Sequence, residues 1–349
     1  MNTRDINKYK RLTSFYLRNR VSKKIVVIES DDWGLERAID ATSLSKIVEK
    51  YGKSNISRWT TDAIESVEDL ELIYNLFANY QNSFLKAPQL TANFITHNID
   101  YSSKNNLKFK PISEGYNFAD KALFLKYKEG IEKGFFKPQL HGFSHYNTEL
   151  LKNSFNSFDF QEDLEFGFPL AKTTINKNLR LYRGECFDTN FELNLKKAQE
   201  VFFKTFGYQS QTFIPPNYQF ATKCVPVLIE NNICLLQASN HFLNEEGKGN
   251  VAPLFRKKAG IYYATRNARI DVHPSYNFTA IQCIEAIATA FKNKMPAIID
   301  MHRVNFSGTY TPEYRKMALE ELEKVIYFLA KNHPEVLFLA SDELIPYIC

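Results

Sequence analysis

The sequence predicts an α/β fold, a (β/α)7-8 barrel of mostly parallel strands with long rim insertions. Three observations predict it. Short apolar runs rich in Val, Ile and Phe recur along all 349 residues. Segments of helical period separate them, the signature of parallel βαβ units. About eight such alternations suit a barrel better than an open sheet. The glycine-rich phosphate turn of a doubly wound sheet is missing, and glycine is scarce at 13 residues.

Taken in order, the chain begins with a basic stretch carrying Lys8, Lys10, Arg11, Arg18, Arg20, Lys23 and Lys24, interleaved with Tyr9, Phe15 and Tyr16. We read residues 1–22 as a solvated amphipathic lead-in helix; contact with an anionic surface, nucleic acid or lipid head groups, is the alternative. A barrel domain over 23–349 follows. Its strand-like runs are Lys24–Ser30, Thr91–Thr96, Pro138–Leu140, Thr212–Ile214, Ile233–Ala238, Ala268–Val272, Ala297–Met301 and Val336–Ala340. Helices are expected at Phe191–Phe206 and Glu313–Lys331, the latter with Met317, Leu319, Leu322, Val325, Ile326 and Leu329 near one face. Two stretches, about 98–137 and 146–190, are too long for plain connections. Both leave the chain after a strand end, which in a barrel places them over the catalytic face. No linker or repeat argues for a domain cut.

Composition narrows the function. Hydrophobic residues at 44% and charged residues at 24% are an ordinary globular balance. The 29 Phe and 19 Tyr fill much of the core, and such aromatics also suit carbohydrate clefts. A net charge of +5 implies no polyelectrolyte, so no nucleic-acid partner is expected. Five scattered cysteines fit neither a disulfide framework nor a zinc ribbon, and suit a reducing compartment. The sequence shows no apolar signal-peptide core and no run near the ~20 apolar residues of a membrane span, so a cytoplasmic protein is expected.

Three features could carry chemistry. Asp31-Asp32 directly follows the strand-like run Lys24–Ser30, a costly placement unless a cation holds the carboxylates; a helix N-cap is the ordinary alternative. His141 and His145, four apart, fall on one side of a helical turn and could present two imidazoles to one ion. His302 ends the seventh run and could protonate a leaving group, or be a hydrogen-bonded structural histidine. Together they compose a catalytic zinc-type site: one carboxylate, two imidazoles, an open position and a spare carboxylate as base. His97 and His273 also sit at strand ends, as substrate contacts, further ligands or structural groups. His241 and His333 look incidental.

The order of these motifs resembles the polysaccharide deacetylase family of carbohydrate esterases. That family opens on Thr-Phe-Asp-Asp-Gly, where this chain reads Glu29-Ser30-Asp31-Asp32-Trp33-Gly34. Thr91-Ala92-Asn93-Phe94 stands for its Ala-Thr-Phe-Phe, and His141 to His145 match the spacing of its His-Ser/Thr-x-x-His. Phe213-Ile214-Pro215-Pro216-Asn217-Tyr218 stands for its Phe-Arg-Pro-Pro-Tyr-Gly, and Asp300-Met301-His302 for its Leu-x-His. The likeness spans residues 24 to 345. It implies a distorted barrel holding one divalent ion, zinc first, with cobalt, nickel or manganese as alternatives. It also implies Asp32, His141 and His145 as ligands, Asp31 as base, His302 as acid and the Asn217 backbone N–H at the oxyanion. Trp33, His97, Asn217 and Arg303 are the expected substrate contacts.

The implied reaction removes an acyl group, N-acetyl first, from a sugar or oligosaccharide, in cell-surface glycan assembly. Two departures stand out. Ile214 replaces the arginine that steadies the base, with Arg303, Arg183 and Arg266 as candidates for its role, and Asp300 replaces leucine. Asp-Asp-Trp-Gly is also similar to the Asp-Asp-Phe-Gly of chitooligosaccharide deacetylases, which implies related chemistry on another sugar. A catalytically silent glycan-binding barrel and a metal-dependent glycoside hydrolase are the competing readings.

Overall fold

The computed structural model of the chain describes all residues except 1–2, 38–39, 53–57, 104, 118–120, 166–183, 245 and 274–275. Along the chain the strands are β1 (Ile25–Trp33), β2 (Leu90–Ile95), β3 (His97–Ile99), β4 (Phe109–Pro111), β5 (Phe136–Gly142), β6 (Thr212–Phe213), β7 (Leu235–Ala238), β8 (His241–Leu243), β9 (Gly249–Val251), β10 (Arg256–Lys258), β11 (Ile261–Thr265), β12 (Ala268–Arg269), β13 (Ala297–His302) and β14 (Leu337–Phe338). Ten of them form one sheet in the order β10-β11-β7-β6-β5-β2-β1-β13-β12, with β14 pairing the start of β1. Only the β10–β11 pair is antiparallel. This is the mixed α/β architecture, with a large and mostly parallel sheet, that the alternating runs predict.

All eight expected runs enter this sheet, because a strand covered on both faces must be apolar throughout and so stands out in sequence. Every residue of β1 is buried, including Glu29, Ser30, Asp31 and Asp32. The structure adds β10 and β11, a hairpin turning at Ala259-Gly260, where both residues have positive φ. Their Tyr- and Lys-rich sequence lacks the Val/Ile signal, and the basic β10 lies at the sheet's edge, where charge blunts unwanted pairing.

The helix Phe191–Phe206 has the expected bounds and stops at Gly207, which takes the left-handed conformation that glycine adopts without penalty. Pro312–Asn332 extends the expected helix by one residue at each end. The lead-in helix is shorter than expected, running Thr3–Tyr16 (α1). Ser14 pins it: its hydroxyl donates to the Ala252 carbonyl at 3.2 Å and accepts from the Leu254 N–H at 3.0 Å. Within the first long stretch, Ala122–Glu132 buries Leu123 and Tyr127 as an ordinary crossover into β5. Among the described residues of the two insertions, Ile99, Tyr146, Leu151, Phe155 and Phe160 make a small core of their own.

Candidate metal and catalytic site

The strand ends converge on a cavity of about 350 Å³. Strand pairing places Asp31 opposite His302, so two of the expected catalytic groups become neighbours through sheet register alone. Beyond Ser30 the β1–β2 register shifts, and Asp32 takes φ 71°. Aspartate tolerates this left-handed conformation better than most residues. In consequence Asp31 and Asp32 both line the cavity rather than pointing to opposite faces.

Asp32, His141 and His145 meet there. Asp32 Oδ1 lies 3.3 Å from His141 Nε2 and 3.2 Å from His145 Nε2. Four ligands at ~2.0–2.1 Å from a tetrahedral ion stand about 3.3 Å apart, so both distances from Asp32 match the edges of such a site, and all three ligand atoms lie within 4.8 Å of one another. The tautomer points the same way. His141 Nδ1 is 2.9 Å from the Ile214 carbonyl, which can only accept, so Nδ1 carries the proton and a neutral ring turns its Nε2 lone pair toward the carboxylate. Burial lowers the His141 pKa, but the hydrogen bond to Asp32 and the charges of Asp31 and Asp32 outweigh it and raise the group, so either a cation or a proton on Nε2 relieves this contact. Burial pushes His145 down to about 4, against the pull of Asp32, which makes a second proton there a poor substitute.

The two histidines are not on a helical turn, as their spacing predicts. His141 belongs to β5, the chain then bends, and His145 has φ 73°. A buried carboxylate holds the bend: Glu185 accepts from the backbone N–H groups of Phe143 at 2.6 Å, Ser144 at 3.1 Å and His145 at 2.9 Å. A Cβ on Gly142 would come within 2.7 Å of Glu185 Oε1, so a larger residue there would displace the clamp. Burial raises Glu185 to about 7 in spite of these donors. No sequence motif marks Glu185, which acts across 40 residues.

Asp31 is held by Arg266. Its Nη2 donates to Asp31 Oδ1 at 2.6 Å and its Nη1 to Oδ2 at 2.7 Å, while Nε donates to Glu29 at 2.7 Å. Nη1 also reaches Asp300 at 2.7 Å and the Tyr218 hydroxyl at 2.9 Å. The cation that Ile214 lacks is thus supplied from the connection between β11 and β12. Of the other candidates, Arg183 lies outside the described residues and Arg303 is occupied elsewhere. Asn93 Nδ2 adds a 2.8 Å hydrogen bond to Asp31. Burial alone would raise the Asp31 carboxyl, but the guanidinium overrides it and holds the group at about 2.

His302 sits between two carboxylates, Nε2 3.7 Å from Asp31 and Nδ1 3.8 Å from Asp300. Asp300, which replaces the leucine of the motif, is therefore an acidic neighbour of His302. Burial lowers the His302 pKa, partly offset by Asp300 and Asp31. Trp59 meets its ring edge-on at 4.9 Å, and Arg58 stacks on Trp59. Trp59 and Arg37 line the cavity, yet no sequence pattern singled them out; Tyr218, which ends the Pro215-Pro216 motif, lines it too.

Three expected substrate contacts are corrected. Trp33 is fully buried, packed on Phe94, Phe136 and Phe306 with Nε1 donating to Ser30 Oγ, because its large apolar ring completes the core beneath the turn. His97 is buried away from the cavity, stacked on Phe143 at 3.9 Å. Arg303 is wholly buried and paired to Asp62 and Glu65, while Glu65 accepts the Gly34 N–H. It braces the turn after β1 from beneath. Asn217 does line the cavity, with φ 55° after Pro215-Pro216, and its backbone N–H makes no hydrogen bond among the described residues.

No family model matches this sequence, and no curated protein does. Solved structures do resemble the fold. A 4-alpha-glucanotransferase from Thermococcus litoralis aligns over 94% of this chain at 12% identity with a TM-score of 0.49; the chain spans 40% of that protein's length. A family 4 acetyl xylan esterase from Clostridium thermocellum, solved with a cobalt ion, aligns over 93% of this chain and 91% of its own at 12% identity, TM-score 0.39. A CE4 family pseudoenzyme from Bacillus anthracis aligns over 94% of this chain and 67% of its own at 10% identity, TM-score 0.43. The Xyl-CE4 domain of a multidomain xylanase from the hindgut metagenome of Trinervitermes trinervoides also aligns, over 93% of this chain and 90% of its own at 9% identity, TM-score 0.42.

Proposed function

We propose that this protein is a metal-dependent hydrolase that removes an acyl group, N-acetyl first, from a sugar precursor of cell-surface glycan in the cytoplasm. The observation that carries the reading is the convergence of Asp32, His141 and His145 beside an Arg266-held Asp31 and His302, all on one cavity. The donor set, one carboxylate oxygen and two imidazole nitrogens, fits a divalent ion of the zinc type, and Asp32, His141 and His145 would hold it. When bound, such an ion polarises the acyl carbonyl and makes water a stronger nucleophile.

The chain's own groups divide the remaining work. Asp31, ionised and fixed by a bidentate guanidinium, accepts the proton of the attacking water. The Asn217 N–H donates to the carbonyl oxygen as it gains charge. His302, beside Asp300 and Asp31, delivers a proton to the departing amine. Trp59, Tyr146, Tyr218 and Tyr276 offer flat faces on which a sugar ring can rest.

The test is acetate release from a panel of N-acetylated sugars and nucleotide sugars, with and without added zinc, for the wild type and Asp31→Asn. Zinc-dependent release that collapses in Asp31→Asn supports the reading. Sugar binding with no turnover under any metal would instead identify a silent glycan binder. Release undiminished in Asp31→Asn would reject the assigned base.

A further inference from the structure

A second cavity, of about 480 Å³, lies between α1 and the strands β8 to β11. Its apolar side is Phe220, Phe242 and Tyr263. Its polar side is Lys10, Arg256 and Lys258. None of these three cations forms an ion pair with a described residue, and no carboxylate lines the cavity among the described residues. Arg256 Nε is buried without a hydrogen-bond partner. Concentrated, unneutralised positive charge in a concave site attracts an anion, and this one is large enough for a phosphate-bearing head group.

The helix bordering this cavity has an unusual outer face. Tyr9 is 66% exposed, Leu12 49% and Tyr16 76%, at i, i+3 and i+7 on one side of α1, and Leu17 just beyond is 54% exposed. Residues 6–28 contain seven lysines and arginines and no Asp or Glu. An exposed apolar stripe flanked by basic side chains is the pattern of a helix lying in a lipid interface. Leu12 and Leu17 have no ring on which a base could stack, which favours lipid over nucleic acid. A second copy of the chain would bring like charges face to face.

We propose that α1 and the Lys10–Arg256–Lys258 cavity together dock the protein on an anionic lipid surface. The Tyr9–Leu12–Tyr16 stripe enters the interface and a head-group phosphate enters the cavity. This surface lies close to the catalytic site. Gln219 and Leu243 line the catalytic cavity, and their chain neighbours Phe220 and Phe242 line the docking cavity, so two short segments separate the sites. The inference stands independently of the proposed reaction.

Flotation of the full chain with vesicles tests it, using phosphatidylglycerol and phosphatidylcholine in equal parts against phosphatidylcholine alone. The wild type should float with the anionic vesicles only, and less as salt is raised. Lys10→Gln, Arg256→Gln and Lys258→Gln combined should weaken partitioning roughly 100-fold, about fivefold per charge near the surface. Tyr9→Ser, Leu12→Ser and Tyr16→Ser combined should weaken it about tenfold or more. These three side chains are exposed, so this variant keeps its fold even if the cavity variant does not. Absence of wild-type binding to anionic vesicles overturns the proposal, as does binding unchanged in the stripe variant. Two results without vesicle binding would reassign the surface: a melting temperature raised by inorganic pyrophosphate, to a soluble phosphate, and capture of a single-stranded oligonucleotide, to nucleic acid.

Discussion

Replacing Arg266 by methionine removes a buried cation that donates to Glu29, Asp31, Asp300 and Tyr218 at once. Methionine roughly keeps the volume, so the loss is electrostatic. Breaking a buried pair by removing one partner costs about 3–5 kcal/mol, because the remaining charge is left without compensation. The Asp31 share alone is about 2 kcal/mol, from its depression to about 2 from an ordinary 3.8. Its pH dependence gives a sharper test than its size. In the wild type the Asp31 contribution is complete above its unfolded pKa and lost only as pH falls through about 2, so it is flat between about pH 5 and 7. Without Arg266, burial dominates and raises the carboxyl above its unfolded pKa. Stability is then lost as pH rises through the new value. The deficit of Arg266→Met, measured by urea unfolding, should therefore be larger at about pH 7 than at about pH 5. A deficit under about 1 kcal/mol, or one equal at both pH values, would refute the claim that Arg266 compensates the ionised Asp31.

Three other outcomes are expected. His97, which burial pushes down to about 3, stays neutral in the fold while the unfolded chain takes up a proton below about 6.5. Between about pH 7 and 5 it should therefore cost about 2 kcal/mol of stability, a slope that urea titrations should find missing in His97→Gln. Glu185→Gln turns an amide N–H₂ toward backbone donors, loosens the His145 bend and should weaken zinc binding about 10–100-fold by competition with a chelating dye; unchanged affinity would remove Glu185 from the site. His302→Ala should keep bound zinc, measured by elemental analysis, while slowing amide hydrolysis about 10²–10⁴-fold; loss of the metal would make His302 a ligand.

Much of the site is legible because its motifs lie at strand ends, where local burial and local chemistry coincide. Asp31-Asp32 closes a run that opens on the four apolar residues Ile25 to Ile28, and the AIIDM run ends on His302. The parallel pairing of β1 and β13 then sets Asp31 beside His302. The less legible groups act at a distance. Glu185 clamps a bend 40 residues away, and Arg266 reaches Asp31 across 235. Nothing in either one's immediate surroundings distinguishes it from an ordinary surface charge. Trp33 and Arg303 mislead for the opposite reason: each stands beside a motif residue, but the left-handed Asp32 and the turn beginning at Arg303 send both side chains into the core.

The sequence by itself determined the alternation of strands and helices, the positions of all eight expected strands and the order of the candidate ligands. Those follow from apolar period and residue type, which are local properties. The tertiary structure alone decided which cation meets Asp31, why His145 can turn back toward His141, and which aromatics wall the cavity. Each of those depends on groups that the strand order brings together from distant parts of the chain, and burial then makes their pairing obligatory, since an unpaired charge there would be too costly to keep.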